Sequence, residues 1–193
     1  MRIWTIGHST RGIDEFVSLL KQNEINLLAD VRAWPGSKRY PQFNKDALTE
    51  SLRAHGIRYQ HFPELGGKRK SKPDSRNTAW RNASFRGYAD YMETEQFQKG
   101  VERLLAFARS DGLGSRRNEH DGWEAVTPCA IAIMCAEAVW WRCHRSLIAD
   151  YLKARGVEVL HVLSANKVEP HPYTSAARIV NGELSYAEDD LLR

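Results

Sequence analysis

Three cysteines and seven histidines are the side chains of this 193-residue sequence best suited to nucleophilic or metal chemistry. Two of the cysteines and one histidine fall within ten positions of one another: Cys135, Cys143 and His144. Cys135 follows an apolar run, Ala130 to Met134, of the kind that makes a strand buried on both faces. Arg142, Cys143, His144 and Arg145 stand where a helical pattern of Leu147, Ile148, Tyr151 and Leu152 begins, and Glu137 lies between the two segments. A thiol and a carboxylate at the end of a buried strand, facing a basic helix start, must be paired or they destabilise the fold. Three kinds of chemistry are open to Cys135. It is a small buried thiol packing at a strand end. It is a nucleophile, whose thiolate the helix start and Arg142, His144 or Arg145 favour, with His144 as an alternative base. Or it ligates a metal together with Cys143, His144 and His8, although the Cys-x7-Cys-His spacing matches no strong structural zinc pattern. The nucleophile reading makes Cys135, Glu137 and His144 the catalytic set, with no metal and no cofactor assigned.

The remaining polar residues gather at comparable places. A first apolar segment, Arg2 to Ile6, ends in His8 and Ser9; a second, Leu27 to Val31, ends in Asp30 and Arg32, then the turn Trp34-Pro35-Gly36-Ser37. A third, Ile57 to Phe62, leads into Glu64, Gly66 and Gly67, and a fifth, Val157 to Leu163, into Ser164 and Asn166. The other ends of these segments carry little that is reactive. A binding set of His8, Ser9, Asp30, Arg32, Ser37, Glu64, Gly66, Gly67, Arg142 and Arg145 follows. Plainer roles stand beside it. Asp30 and Arg32 pair with each other, Glu137 pairs with an arginine, Gly66-Gly67 is a turn rather than a phosphate cradle, and Trp140 and Trp141 are core or lid aromatics. A phosphatase- or rhodanese-like Cys-x5-Arg loop from Cys135 is disfavoured, because position 141 is Trp141 and Arg142 comes one residue too late.

Helical spacing between these segments tells what positions them. Ile13, Phe16, Val17 and Leu20 form one face, with Ser9 and Thr10 as capping residues. Leu48, Leu52 and His55 form a second, with Asn44 as N-cap and Gly56 as the stop. Phe85, Tyr88 and Tyr91, then Phe97, Val101, Leu104 and Leu105 with Thr94 as cap, form a third and fourth. Strands joined by connections of helical length argue for a mostly parallel sheet of about five strands with helices on both faces, a three-layer α/β sandwich. Asn181-Gly182 between Ile179 and Leu184 predicts a small C-terminal hairpin. In a parallel sheet all the reactive ends share one edge, so the candidate residues are expected in a single crevice.

The length suits one domain spanning residues 1–193, with a polar, glycine-bearing surface insertion at about 110–127. The 42% hydrophobic and 27% charged fractions are ordinary. No membrane span is expected. The N-terminus has no export-signal pattern, and an odd number of cysteines points to reduced thiols in the cytoplasm. A net charge of +4 is modest, but Lys68, Arg69, Lys70 and Lys72 cluster, with Lys38-Arg39 and Arg116-Arg117 as smaller groups. An anionic small molecule or a nucleic acid is the partner this suggests, the bland alternative being a solvated loop. Residues 68–82 show no period and are expected to be mobile unless a ligand orders them. The oligomeric state is left open.

TIGHST (5–10), DVRAWPGS (30–37), FPELGG (62–67) and CAEAVWWRCHR (135–145) together resemble domain-of-unknown-function family 488. The resemblance implies an α/β fold and a pocket built from these motifs, with 110–127 as a local insertion, and implies no reaction. The leading expectation is a cytoplasmic enzyme acting on a phosphate-bearing, nucleotide or nucleic-acid substrate, a cysteine-dependent hydrolase or transferase centred on Cys135. Arg32, Arg142 and Arg145 hold the anion, because guanidinium forks match phosphate oxygens. The alternatives are a non-catalytic nucleic-acid or nucleotide-binding module and a metal-dependent hydrolase.

Overall fold

A computed structural model describes residues 1–109 and 129–188; the segment expected to be a polar insertion therefore lies outside the described residues. Strands β1 (Arg2–Gly7), β2 (Leu27–Asp30), β3 (Arg58–His61), β4 (Ile131–Cys135), β5 (Glu158–Ser164) and β6 (Lys167–Pro170) form one sheet in the order β3-β2-β4-β1-β5-β6. β1 to β5 run parallel, and β6 returns antiparallel along β5 as an edge strand. The helices are α1 (Ile13–Gln22), α2 (Lys45–Arg53), α3 (Ala83–Met92), α4 (Glu95–Arg109) and α5 (Arg145–Ala154). β7 (Arg178–Val180) and β8 (Glu183–Ser185) make the expected hairpin, with Asn181 and Gly182 both at positive φ, 52° and 84°, as its two-residue turn requires. The architecture is the α/β class expected, with a sixth strand added.

Strand periodicity sorts the core into two layers. Ile6, Leu28, Ala132 and Met134 face α1 and α2, meeting Phe16, Leu20, Leu48 and Leu52. Ile3, Leu27, Ala29, Ile131 and Ile133 face α3 to α5, meeting Tyr88, Phe97, Leu104, Leu147 and Ile148. β4 is buried along its whole length between β2 and β1, which explains its uninterrupted apolar run. Each fully buried aliphatic or phenyl side chain stabilises by roughly 1.5–3 kcal/mol. Among the described residues no helix is long and apolar enough to cross a membrane.

Local details depart from the sequence reading in informative ways. α1 is entered through Gly12 without a side-chain cap; Ser9 instead takes a positive φ of 49° in the preceding turn. Asn44 does sit at the N-cap of α2, but its side chain accepts from Ser37 N rather than from the helix. His55 lies beyond the end of α2, exposed. The segment expected to be mobile is anchored. The Asp90 carboxylate accepts from Lys72 N at 2.8 Å, from Asn77 Nδ2 at 2.8 Å and from the Ser75 hydroxyl. Burial raises the Asp90 pKa, but these hydrogen bonds outweigh it and hold the carboxyl below its ordinary value. The Arg69 guanidinium lies 3.6 Å from the centre of the Tyr91 ring, and Lys72 pairs with Glu93 at 3.2 Å. The basic cluster is thus partly consumed by the fold.

Candidate functional site

β1 and β4 are neighbours, yet the chain leaves β1 toward the α1 layer and β4 toward the α5 layer. A crevice opens between the two exits, the place where open α/β sheets bind ligands. Its backbone is tightly fixed. His8 N donates to Cys135 O at 3.1 Å and Ser9 N to Ala136 O at 2.9 Å. Arg11 donates to the carbonyls of Gly7 and of Leu163. A Cβ on Gly7 would stand 1.8 Å from Glu137 O, so only glycine lets the loop after β4 lie across the end of β1.

Two thiols and an imidazole meet at the floor of this crevice. His144 Nδ1 lies 3.5 Å from Cys143 Sγ and 4.0 Å from Cys135 Sγ, and the three ligand atoms all lie within 4.8 Å of one another. His144 Nε2 is 3.1 Å from Val31 O. A carbonyl only accepts, so Nε2 carries a hydrogen and Nδ1 is the nitrogen that faces the sulfurs. Gly67 makes room for this ring: a Cβ there would stand 2.9 Å from His144 Nδ1. The hydrogen bond to Cys143, then burial, push the Cys135 thiol above its ordinary range. Burial also raises Cys143, but the hydrogen bond from Cys135 together with His144 and Arg145 outweighs it and holds Cys143 below that range. This reverses the expectation of a depressed Cys135: the two thiols share the stabilisation, and the one nearer the imidazole takes it.

Arg145, the first residue of α5, is 1% exposed. Its Nη2 donates to Glu137 O at 2.6 Å, while its Nε has no hydrogen-bond partner among the described residues. No carboxylate among those residues pairs with it. Arg32 is held differently. Its Nε and Nη2 grip Asp30 at 2.6–3.1 Å, Nη2 also donates to Phe43 O at 2.9 Å, and Nη1 reaches His8 Nε2 at 3.4 Å. Tyr59 donates a further hydrogen bond to Asp30 at 2.7 Å. The Tyr59 pKa is raised, by burial first and Asp30 second. His8 stacks on Phe43 with centroids 4.2 Å apart and donates from Nδ1 to Ser9 O. Burial and then the Arg32 charge lower its pKa to about 4.

A cavity of about 590 Å³ opens over this floor. Cys135, Cys143 and His144 line it below, and Arg32, Lys68 and Arg142 face it with Glu137 as the only carboxylate among the described residues. Trp34, Phe85 and Tyr88 supply aromatic wall, and Asn82 and Ser84 bring the N-terminus of α3 to its edge. Arg142 and Glu137 are exposed at the mouth, so Glu137 contributes its backbone carbonyl to the buried part and its carboxylate to solvent.

The crevice therefore gathers His8, Arg32, Gly67, Cys135, Glu137, Arg142, His144 and Arg145. Other expected members lie elsewhere. Glu64 turns toward α4 and pairs with Arg103 at 2.8 Å. Ser37 is used in its own turn, accepting from Tyr40 N at 3.1 Å. Gly66 packs against Pro63 O and Ala33 and offers no cradle. Asp30 serves Arg32, and Ser9 shapes the turn. His8 belongs with Arg32, not with the thiols, which removes it from the metal set read from the sequence. Sequence reading passed over Tyr59, Asn82 and Ser84, which carry no spacing signal, used Tyr88 only for its helical period, and gave Cys143 too small a part.

A family model described as "Domain of unknown function DUF488" matches residues 12–152. That span takes in the crevice residues except those of β1 and His8. No curated protein and no solved structure matches the chain.

Proposed function

The chain belongs to the DUF488 family, and from that footing we propose that it is an enzyme acting on a small phosphate-bearing substrate of nucleotide type in this cavity. One observation carries the reading. Among the described residues three cations and a single carboxylate line a pocket with aromatic walls, and its floor is a close-set thiol–imidazole cluster. Exposed Arg142 and Lys68 suit the phosphate, with the Ser84 hydroxyl at the start of α3 as a further donor; the first N–H groups of that helix are taken by its Asn82 cap. Trp34 and Phe85 suit a base or sugar face. Glu137 at the mouth is the group for carrying protons to and from solvent. Three free cysteines suit a reducing compartment, and the cytoplasm is the proposed location.

Titration calorimetry with adenosine 5′-monophosphate, adenosine and inorganic phosphate tests this. The expected result is binding of the nucleotide with a Kd below about 1 mM and much weaker binding of the nucleoside. Replacing Lys68 and Arg142 together by alanine should weaken nucleotide binding about tenfold or more. A folded wild type that binds none of these, nor an oligonucleotide, rejects the reading.

A second reading has its own support. Trp34 is 71% exposed, with the Lys68 ammonium 5.3 Å from its ring centre, a stacking surface with a cation at hand. A single strand laid across the mouth would bind an oligonucleotide with a steep salt dependence that a mononucleotide lacks.

A further inference from the structure

We infer that Cys135, Cys143 and His144 form a binding site for a zinc-class divalent cation, with an open fourth coordination position facing the cavity. The separations fit. Sulfur at about 2.3 Å and imidazole nitrogen at about 2.05 Å from a tetrahedral zinc lie about 3.6 Å apart, and two such sulfurs about 3.8 Å. Here the sulfur–nitrogen distances are 3.5 and 4.0 Å, and no pair of the three atoms is more than 4.8 Å apart. Shifts of no more than about 1 Å in any of these separations close the site around an ion.

The surroundings are those of a ligand set. The Val31 carbonyl accepts from His144 Nε2 and turns Nδ1 toward the sulfurs, the nitrogen that ligates once an ion displaces any proton there; metal-bound histidines are oriented by such an outer partner. β4 supplies Cys135, and the segment leading into α5 supplies Cys143 and His144. The ligands thus come from two rigid elements tied together through the Arg145–Glu137 hydrogen bond. Two thiolates and an imidazole select zinc, cobalt or another borderline metal over magnesium or calcium. All three ligands line the 590 Å³ cavity. The fourth position therefore opens to solvent or substrate, as three-ligand zinc sites in enzymes do. This deepens the function proposed above by giving that cavity its reactive centre. Ion binding itself is measured without substrate, so either idea fails or stands separately.

The probe is cobalt. Reduced, chelator-treated full-length protein titrated with Co²⁺ should take up one ion per chain. Near-ultraviolet thiolate-to-cobalt absorption and strong visible bands of tetrahedral geometry should appear, and Zn²⁺ should abolish them. Cys143→Ser and His144→Ala should each weaken binding more than about 100-fold, beyond the loss expected from removing an outer partner. Cys129→Ser should leave it unchanged, since Cys129 lies just before β4, at the sheet's other edge, bonded by Arg58 at 3.1 Å. A measurement on the wild type guards against variants that fail to fold. Zn²⁺ should protect Cys135 and Cys143 from iodoacetamide and leave the labelling rate of Cys129 as it was. A folded, reduced wild type giving only the weak spectrum of six-coordinate cobalt, or labelling of Cys135 and Cys143 indifferent to Zn²⁺, overturns the site.

Discussion

Helix α5 carries two buried charges five residues apart, and their surroundings are opposite. Asp150 is fully satisfied: it accepts from His171 Nε2 at 3.0 Å, Thr174 N at 2.9 Å, the Thr174 hydroxyl at 2.6 Å and the Tyr186 hydroxyl at 2.9 Å. The chain continues from His171 to His161 at 2.9 Å and on to Thr5 at 2.7 Å, with Trp140 stacked on His161. Arg145 has a carbonyl at one nitrogen, no partner for Nε among the described residues, and two thiols in electrostatic reach. A closed, satisfied network rigidifies a core. An incompletely satisfied one beside a cavity is where a ligand has something to add. The start and the middle of one helix thus divide site from scaffold, and each substitution below sharpens or breaks that division.

The largest effect should come from the scaffold side. Asp150→Ala strands the donors of His171, Thr174 and Tyr186 in the core and should lower stability by about 3–5 kcal/mol, read from urea unfolding. A loss under about 1 kcal/mol would erase the contrast. Gly7→Ala drives a methyl into Glu137 O and should destabilise by about 2–3 kcal/mol. Because that carbonyl is Arg145's partner, nucleotide binding should weaken in whatever fraction folds.

Acid should act through the scaffold as well. Burial, then the charges of His171 and Arg145, lower the His161 pKa to about 2. Below pH ~6.5 the unfolded imidazole takes up a proton that the folded one refuses. The stability it contributes is therefore complete above that pH and lost as pH falls, by up to about 1.4 kcal/mol per pH unit. His161→Gln should flatten this slope between pH 6.5 and 5 by about one proton; an unchanged slope would place the acid sensitivity elsewhere. The smallest stability effect belongs to the site. Gly67→Ala, pressing on His144 Nδ1, should shift stability by less than about 1 kcal/mol while weakening Co²⁺ binding about tenfold. Equal losses in both would make the thiol–imidazole cluster one more piece of scaffold.

Much of this was legible in the sequence, because parallel strands put their carboxyl ends on one edge. The five apolar segments, the helices between them and the meeting of His8, Arg32, Cys135 and Arg145 follow from period and topology alone. What escaped depends on partners distant in sequence. Glu64 is claimed by Arg103, 39 residues on, and Asp90 gathers a basic loop that looks unconstrained in isolation. β6 was missed because Lys-Val-Glu-Pro is short, largely exposed and ends in proline, as an edge strand can. Asp150 did leave a trace, a carboxylate between Ala149 and Tyr151 within the apolar stretch of α5, but its partner His171 could not be named from spacing.

A crystal structure grown with adenosine 5′-monophosphate tests the central claim most directly. The phosphate should lie within hydrogen-bond reach of Arg142 and Lys68 beside the N-terminus of α3, with the base against Trp34 or Phe85 and the nucleotide above Cys135, Cys143 and His144. A nucleotide bound in the groove beside Tyr186 and Arg155, or an empty cavity at saturating ligand, would contradict it.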